Sequence, residues 1–257
     1  MKRSPIVIGF YTMIRRDVLR LFRIWTQTLL PPAITMGLYF AIFGAFIGSQ
    51  LAPIAGHTYI QYIVPGLIMM SVITTTYMHV VMTFYFAKWQ HTLEEQLVSP
   101  MPGWVIITSF ISTGIIRAFL TGVIVIAISL FFTHLSLFSV GVIFGAAFLT
   151  ALLFSLLGLI NGIFAKSFDD ISIVPTFVLT PLTYLGGVFY SIEQLPELFR
   201  NLSLANPILY MVNAFRYGFL GVSDISLAVC FAVMGGLVLA AFGVTVWLFK
   251  TGAGFKQ

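Results

Sequence analysis

The stretch AKWQHTLEEQLVSPMPGW, residues 87–104, places Lys88, His91, Glu94 and Glu95 within eight positions of an otherwise apolar chain. His91 and Glu95 stand at i, i+4, one helical turn apart, a spacing that lets an imidazole and a carboxylate share a metal ion. A zinc site takes three or four protein ligands, and no third ligand lies nearby in the sequence. His57, His79 and His134 are scattered over other segments. No G-x-S-x-G nucleophile elbow occurs. No G-x-x-x-x-G-K-[ST] loop occurs either; the dipeptide Gly-Lys is absent, so the chain has no phosphate loop of that type. No catalytic constellation is visible, and no cofactor is expected on this chain.

The elements that must hold this charged stretch are apolar. Of 257 residues 59% are hydrophobic and only 8% charged, against about 25% charged in a soluble domain. Apolar runs long enough to cross a bilayer recur along the chain. The expectation is an all-α, polytopic membrane protein forming one domain over 1–257, with spans near 28–48, 61–86, 104–132, 139–165, 171–189 and 227–249. The single cysteine, Cys230, excludes an internal disulfide framework. Nothing resembles a cleavable signal peptide; the first long apolar run follows six basic residues, which suits an uncleaved start-transfer helix.

Residues 1–26 read as an amphipathic interfacial helix. Val7, Tyr11, Ile14, Val18, Leu21 and Trp25 fall on one face, with Thr12, Arg16, Arg20 and Arg23 opposite. A basic helix of this kind lies among headgroups, its arginines near anionic phosphates. Orientation follows from the lysines and arginines. With the N-terminus inside, Lys2, Arg3, Arg15, Arg16, Arg20, Arg23, Lys88, Lys166, Lys250 and Lys256 are cytosolic, while Arg200 and Arg216 are outside. Ten against two places both termini and the 87–103 insertion in the cytosol. That distribution also assigns the net charge of +5 to membrane topology rather than to nucleic acid. Segment 190–221 is too apolar for a solvated loop and too short to cross twice. Pro196 and Pro207 each suit a helix start, so two short helices, about 196–205 and 207–221, are expected to enter the outer leaflet and return.

Polar residues inside the expected spans are few. Arg117 costs about 3 kcal/mol or more at mid-membrane unless it is wet or paired; it either lines a pathway or interface, or snorkels from the long third span. Thr74, Thr75, Thr76, Tyr77 and His79 cluster in span two, as a wet surface or as interhelical hydrogen bonds. Asn161 and Asn213 suit interhelical bonds, and Asp169–Asp170 a turn. No acidic residue falls inside a span, which argues against a proton-driven carrier; matched broken helices in two halves are also missing.

The combination of a basic interfacial helix, six spans, a charged insertion after span two and paired short helices before span six resembles the membrane subunits of type-2 ABC exporters, most nearly the bacterial YadH-like permeases. The local matches are LEEQLVSPMP at 93–102 and PLTYLGGVFYSIEQLPELFRNLSLANPILYMVNAFRYGFLG at 181–221, including Asn206, Pro207, Tyr210 and Arg216. Many relatives carry R-x-x-G-T-x-E entering the insertion; here it reads WQHTLEE, without that Arg and Gly. The resemblance implies a non-catalytic permease of the bacterial inner membrane. It would pair as a homodimer on two copies of a separate ATPase subunit that binds ATP and magnesium. It also implies coupling to the ATPase through Trp89, His91, Glu94, Glu95 and Pro100, an outer gate at Asn206, Pro207, Tyr210 and Arg216, and a pathway or interface near Arg117, Thr75 and His79. Cargo of this class is an amphipathic drug, a lipid or a lipid-linked glycan. An ATPase-independent transporter or channel, and a lipid-modifying membrane enzyme or assembly factor, are the competing readings. Residues 88–98 are expected to form one short helix anchored by Trp89, Leu93 and Leu97, stopped by Pro100 and Pro102.

Overall fold

The computed structural model describes residues 5–99 and 101–254. Helix α1 (Pro5–Arg23) leads through a short turn, α2 (Trp25–Thr28), into α3 (Leu30–Tyr39). The chain then runs through α4 (Tyr59–Trp89), α5 (Thr92–Val98), α6 (Gly103–Ser129), α7 (Val140–Phe164), α8 (Phe168–Val174) and α9 (Thr180–Tyr184). It closes with α10 (Glu197–Leu204), α11 (Pro207–Leu220) and α12 (Leu227–Thr251). Among the described residues no strand forms beyond a two-residue bridge between Ile54 and His57.

Four helices, α4, α6, α7 and α12, are long and apolar enough to cross a membrane. The first and fifth expected spans are built differently. Helix α3 continues into a π-helical stretch, Phe40–Ile47, and α8 passes through another, Pro175–Leu179, before α9. The second interruption has a local cause. Pro175 lacks an N–H, so the i→i−4 ladder of α8 cannot continue through it. The ladder instead widens: the Thr180 backbone N–H and hydroxyl both donate to the Pro175 carbonyl, the hydroxyl at 2.9 Å.

Helix α4 is the centre of the bundle, buried on nearly every side and packed chiefly against α7 and α6. Its 31 residues give a rod of about 46 Å at 1.5 Å per residue, longer than the hydrocarbon layer. Close approach of α4 and α7 depends on Gly158: a Cβ there would stand 2.8 Å from the Tyr77 carbonyl oxygen. Small residues allow such crossings where lipid gives no hydrophobic drive between helices.

Side-chain bonds fix which helix ends lie together. Lys88 Nζ donates to the carbonyls of Ile163 at 2.9 Å, Ala165 at 3.3 Å and Gly254 at 3.4 Å, so the C-terminal ends of α7 and α12 meet α5. Arg20 lies over the Phe86 ring, 5.6 Å from its centre, bringing α1 to the same end. At the opposite end the Tyr59 hydroxyl donates to the Phe189 carbonyl at 3.2 Å. Both described chain ends therefore share the α5 end.

The expected apolar stripe is split: Val7 and Tyr11 on α1 and Trp25 on α2 are exposed, Ile14 and Val18 are half-buried, and Leu21 is buried. The stripe turned to the bundle is Met13, Asp17 and Leu21, at i, i+4, i+8. A carboxylate in that buried row was not expected. Arg16, the next residue back, supports it with an Nε donation at 3.0 Å.

Candidate functional site

The charged stretch folds as a corner rather than as one helix. Trp89 ends α4; His91 adopts the left-handed conformation, φ 57°, and the chain restarts as α5 at Thr92. The Thr92 hydroxyl, reaching back to the Ala87 carbonyl at 3.1 Å, stabilises the reversal. The expected single helix over 88–98 is thus corrected to Thr92–Val98. The expected anchors change with it. Leu93 is buried, but Trp89 and Leu97 are exposed, because the corner at His91 breaks the i, i+4 register linking Trp89 to Leu93. His91 Nδ1 meets Glu94 Oε1 at 3.1 Å rather than pairing with Glu95. Among the described residues no group of three or more His, Cys, Asp or Glu is placed to hold a metal ion. Glu94 and Glu95 are both exposed, and so are the apolar side chains of Trp89, Leu97 and Val98 in the same segment. Pro100 lies outside the described residues; Pro102 is the N-cap of α6.

At the opposite end α10 and α11 fall where sequence placed them. Asn206 caps α11: its Oδ1 accepts from the Ile208 N–H at 3.0 Å, and its Nδ2 donates to the Leu182 carbonyl at 2.6 Å. Pro207 follows at the first helical position, where its missing N–H costs nothing. The Tyr210 hydroxyl donates to the Leu204 carbonyl at 2.7 Å, pinning α11 to α10. Arg216 is completely buried. Its Nε donates to the Tyr62 carbonyl at 3.3 Å and its Nη2 to that of Gly187 at 2.5 Å, while the guanidinium sits 3.9 Å from the centre of the Tyr62 ring. Arg216 is therefore an interior cation, packed against α4 and the chain at Gly187. Beside it, Asn213 Oδ1 accepts from the Asp224 N–H at 2.9 Å, and the Asp224 carboxylate accepts from the Ser191 hydroxyl at 3.0 Å and the Ile192 N–H at 3.1 Å. Hydrogen bonds thus tie α11 and the loops before and after it into one unit.

The third group divides. Thr75 turns its hydroxyl back onto its own helix, donating to the Ser71 carbonyl at 2.7 Å. Arg117 and His79 come together. Both line a cavity of about 400 Å³ between α1–α2, α4 and α6, with Asp17, Arg20, Gln27, Thr28, Thr83 and Phe86 also on its wall. Arg117 Nη2 donates to the Thr28 carbonyl at 2.8 Å, tying α6 to the end of α2. Arg117 Nε and His79 Nε2 are sealed from solvent and have no hydrogen-bond partner. Sequence reading named Arg117 and His79 but missed Asp17 and Gln27, whose meeting with them requires α1 to fold back along α6.

Away from these sites, Asp170 accepts from the backbone N–H groups of Lys166 at 2.8 Å and Ser167 at 3.0 Å. Those bonds hold its carboxyl below the usual carboxylate range.

The family model described as ABC-2 type transporter matches residues 9–220. The chain is 51% identical over 242 residues, 94% of each chain, to the inner membrane transport permease YadH of Escherichia coli strain K12. It is 27% identical over 183 residues, 69% of each chain, to nodulation protein J of Rhizobium leguminosarum bv. viciae. Against nodulation protein J of Neorhizobium galegae the identity is 22% over 224 residues, 86% of each chain.

Proposed function

From the premise that this chain belongs to the ABC-2 type transporter family, we propose that it is the permease of an ATP-driven exporter, working as a homodimer on two copies of a separate ATPase subunit. It is a multi-pass transport permease of the bacterial inner membrane. Its part is to form the path for an amphipathic drug, a lipid or a lipid-linked glycan, while ATP and magnesium act on the partner.

In this reading the α5 end faces the cytosol, where the excess of lysine and arginine belongs. Six crossings follow if the two composite segments count with the four long helices. The composite 30–47 reaches about 27 Å and 168–184 about 25 Å at helical rise, near the hydrocarbon thickness. The two meet at one point: the Tyr39 and Tyr184 hydroxyls come within 3.2 Å, and the Phe189 ring packs against both residues. Along the first composite Ile34, Leu38, Ile42 and Phe46 form an exposed stripe at i, i+4 spacing. A stripe of that kind suits a two-fold interface in which the same patch serves both copies. Helices α10 and α11 then form the re-entrant outer cover.

The observation that carries the proposal is the corner at His91. It leaves α5 at the end of a helix longer than the membrane is thick, with two exposed carboxylates and the exposed apolar side chains of Trp89, Leu97 and Val98 in one short segment. An apolar patch with rim charges fits a partner groove, the charges setting recognition and register. The test is co-purification of the chain with a candidate ATP-binding cassette ATPase subunit from the same organism, followed by vanadate-sensitive ATP hydrolysis in lipid. The double variant Glu94→Ala with Glu95→Ala is expected to insert and fold as the parent does, because both side chains are exposed. It should weaken ATPase association about tenfold or uncouple hydrolysis from transport. Parental affinity together with parental transport in that variant removes α5 as the coupling element.

A further inference from the structure

The cavity between α1–α2, α4 and α6 is not explained by coupling, by the outer cover or by the two-fold stripe. Its volume of about 400 Å³ falls in the range of small-molecule sites. Its charge is uneven. Arg20 and Arg117 are both on the wall, and the one acidic residue there, Asp17, is already bound by Arg16 at 3.0 Å. Two guanidinium groups therefore face the space against one compensated carboxylate. Of the Arg117 donors, Nη2 is used by Thr28, while Nε is buried without a partner; His79 Nε2 is buried without a partner as well. Neither atom is open to the space, so each would reach an occupant only after a small side-chain rotation; the guanidinium groups as a whole carry the attraction.

The remaining wall shows what kind of occupant. Met78, Met82, Leu21 and Ile24 supply flexible apolar surface beside the polar groups, and exposed Trp25 and Phe22 flank it on α1–α2. We infer that this cavity binds a phosphate group carried by an anionic amphiphile of the inner leaflet, with Arg20 and Arg117 on the phosphate and the methionine-lined wall on the apolar part. Guanidinium donors match phosphate oxygens in fork geometry. Helix α1 lies at the α5 end, so the site opens at the level of cytosolic-leaflet headgroups. Placement on that leaflet rests on the permease reading; binding itself needs neither the ATPase nor a second copy.

The test uses the full-length chain in neutral detergent without an ATPase. It is titrated with dioctanoyl phosphatidic acid, with zwitterionic dioctanoyl phosphatidylcholine and with inorganic phosphate, and heats of binding are measured. Phosphatidic acid is expected to bind about tenfold or more tightly than phosphatidylcholine, more weakly as salt rises, with inorganic phosphate a weak competitor. Arg20→Gln, at an exposed side chain, should weaken phosphatidic acid about tenfold, and Arg117→Gln at least as much. Asp17→Asn should tighten it several-fold, since it removes a negative charge and frees Arg16. The opposite signs of Arg20→Gln and Asp17→Asn separate anion recognition from damage to the fold. Equal affinity for the two lipids, or no response to both arginine variants, overturns the site. Inorganic phosphate binding as tightly as phosphatidic acid overturns the amphiphile and leaves a soluble-phosphate site. Either failure is distinct from failure of the permease reading, which is decided by ATPase association at Glu94 and Glu95.

Discussion

Two arginines sit inside this bundle, and their surroundings differ in kind. Arg216 is enclosed: carbonyls of Tyr62 and Gly187 accept its protons, and the Tyr62 ring covers its face. Arg117 holds one carbonyl, that of Thr28, and otherwise borders open space. A buried charge is tolerated when hydrogen bonds replace its water. Protein gives Arg216 two such bonds and a ring face, leaving its Nη1 unpaired, and gives Arg117 one bond, leaving its Nε unpaired. The first arginine is part of the scaffold. The second is a cation left facing a cavity, and such positions are where binding is to be sought.

Substitution at the two arginines should expose this difference. Arg216→Ala removes a side chain that ties three segments and leaves two buried carbonyls without their donor. It should cost about 3–5 kcal/mol, seen as a large drop in thermal unfolding midpoint in detergent; a drop no greater than that of Arg117→Met contradicts the comparison. Arg117→Met removes one hydrogen bond and one desolvated charge of similar length. A change of only about 1 kcal/mol is expected, with the effect falling instead on anionic-lipid binding. The smallest effect belongs to Asp170, exposed and outside both sites. Its carboxyl is held below the usual range, so its stabilisation is present above the unfolded carboxyl pKa and lost as pH falls through the lower folded value. Asp170→Asn should flatten that acid limb in a pH series of unfolding midpoints and lower the neutral-pH midpoint by the same small amount that acid removes from the parent. A shift as large as that of Arg117→Met would place a structural role where none is drawn.

What could be read in the sequence follows from what each signal measures. Helices α4, α6, α7 and α12 were legible because hydropathy over about 20 residues reports the cost of placing a chain in hydrocarbon. The α10–α11 junction was legible because Asn206 and Pro207 carry local capping chemistry that needs no distant partner. The π-helical stretches at Phe40–Ile47 and Pro175–Leu179 were not, since hydropathy is blind to which carbonyl an N–H selects. The corner at His91 was hidden for another reason. A left-handed non-glycine residue has a weak sequence signature, and the bond from Thr92 back to Ala87 competes with simple helical continuation. The burial of Asp17 and the partners of Arg216 were not legible, because burial of a charge depends on partners far along the chain. Asp17 becomes interior only when α1 lies on α6, and Arg216 only when Gly187 and Tyr62 close over it.

Lys88 has a mechanical consequence. One ammonium group fastens the foot of α4 to the last turn of α7, to the residue after it, and to the chain just beyond α12. It works as a rivet through three plates. Because α5 hangs from α4 directly beside that rivet, a load applied to α5 is shared among three segments instead of travelling up one rod. Loosening the joint, by Lys88→Met for example, would leave every helix in place yet let the foot of α4 swing separately from its neighbours.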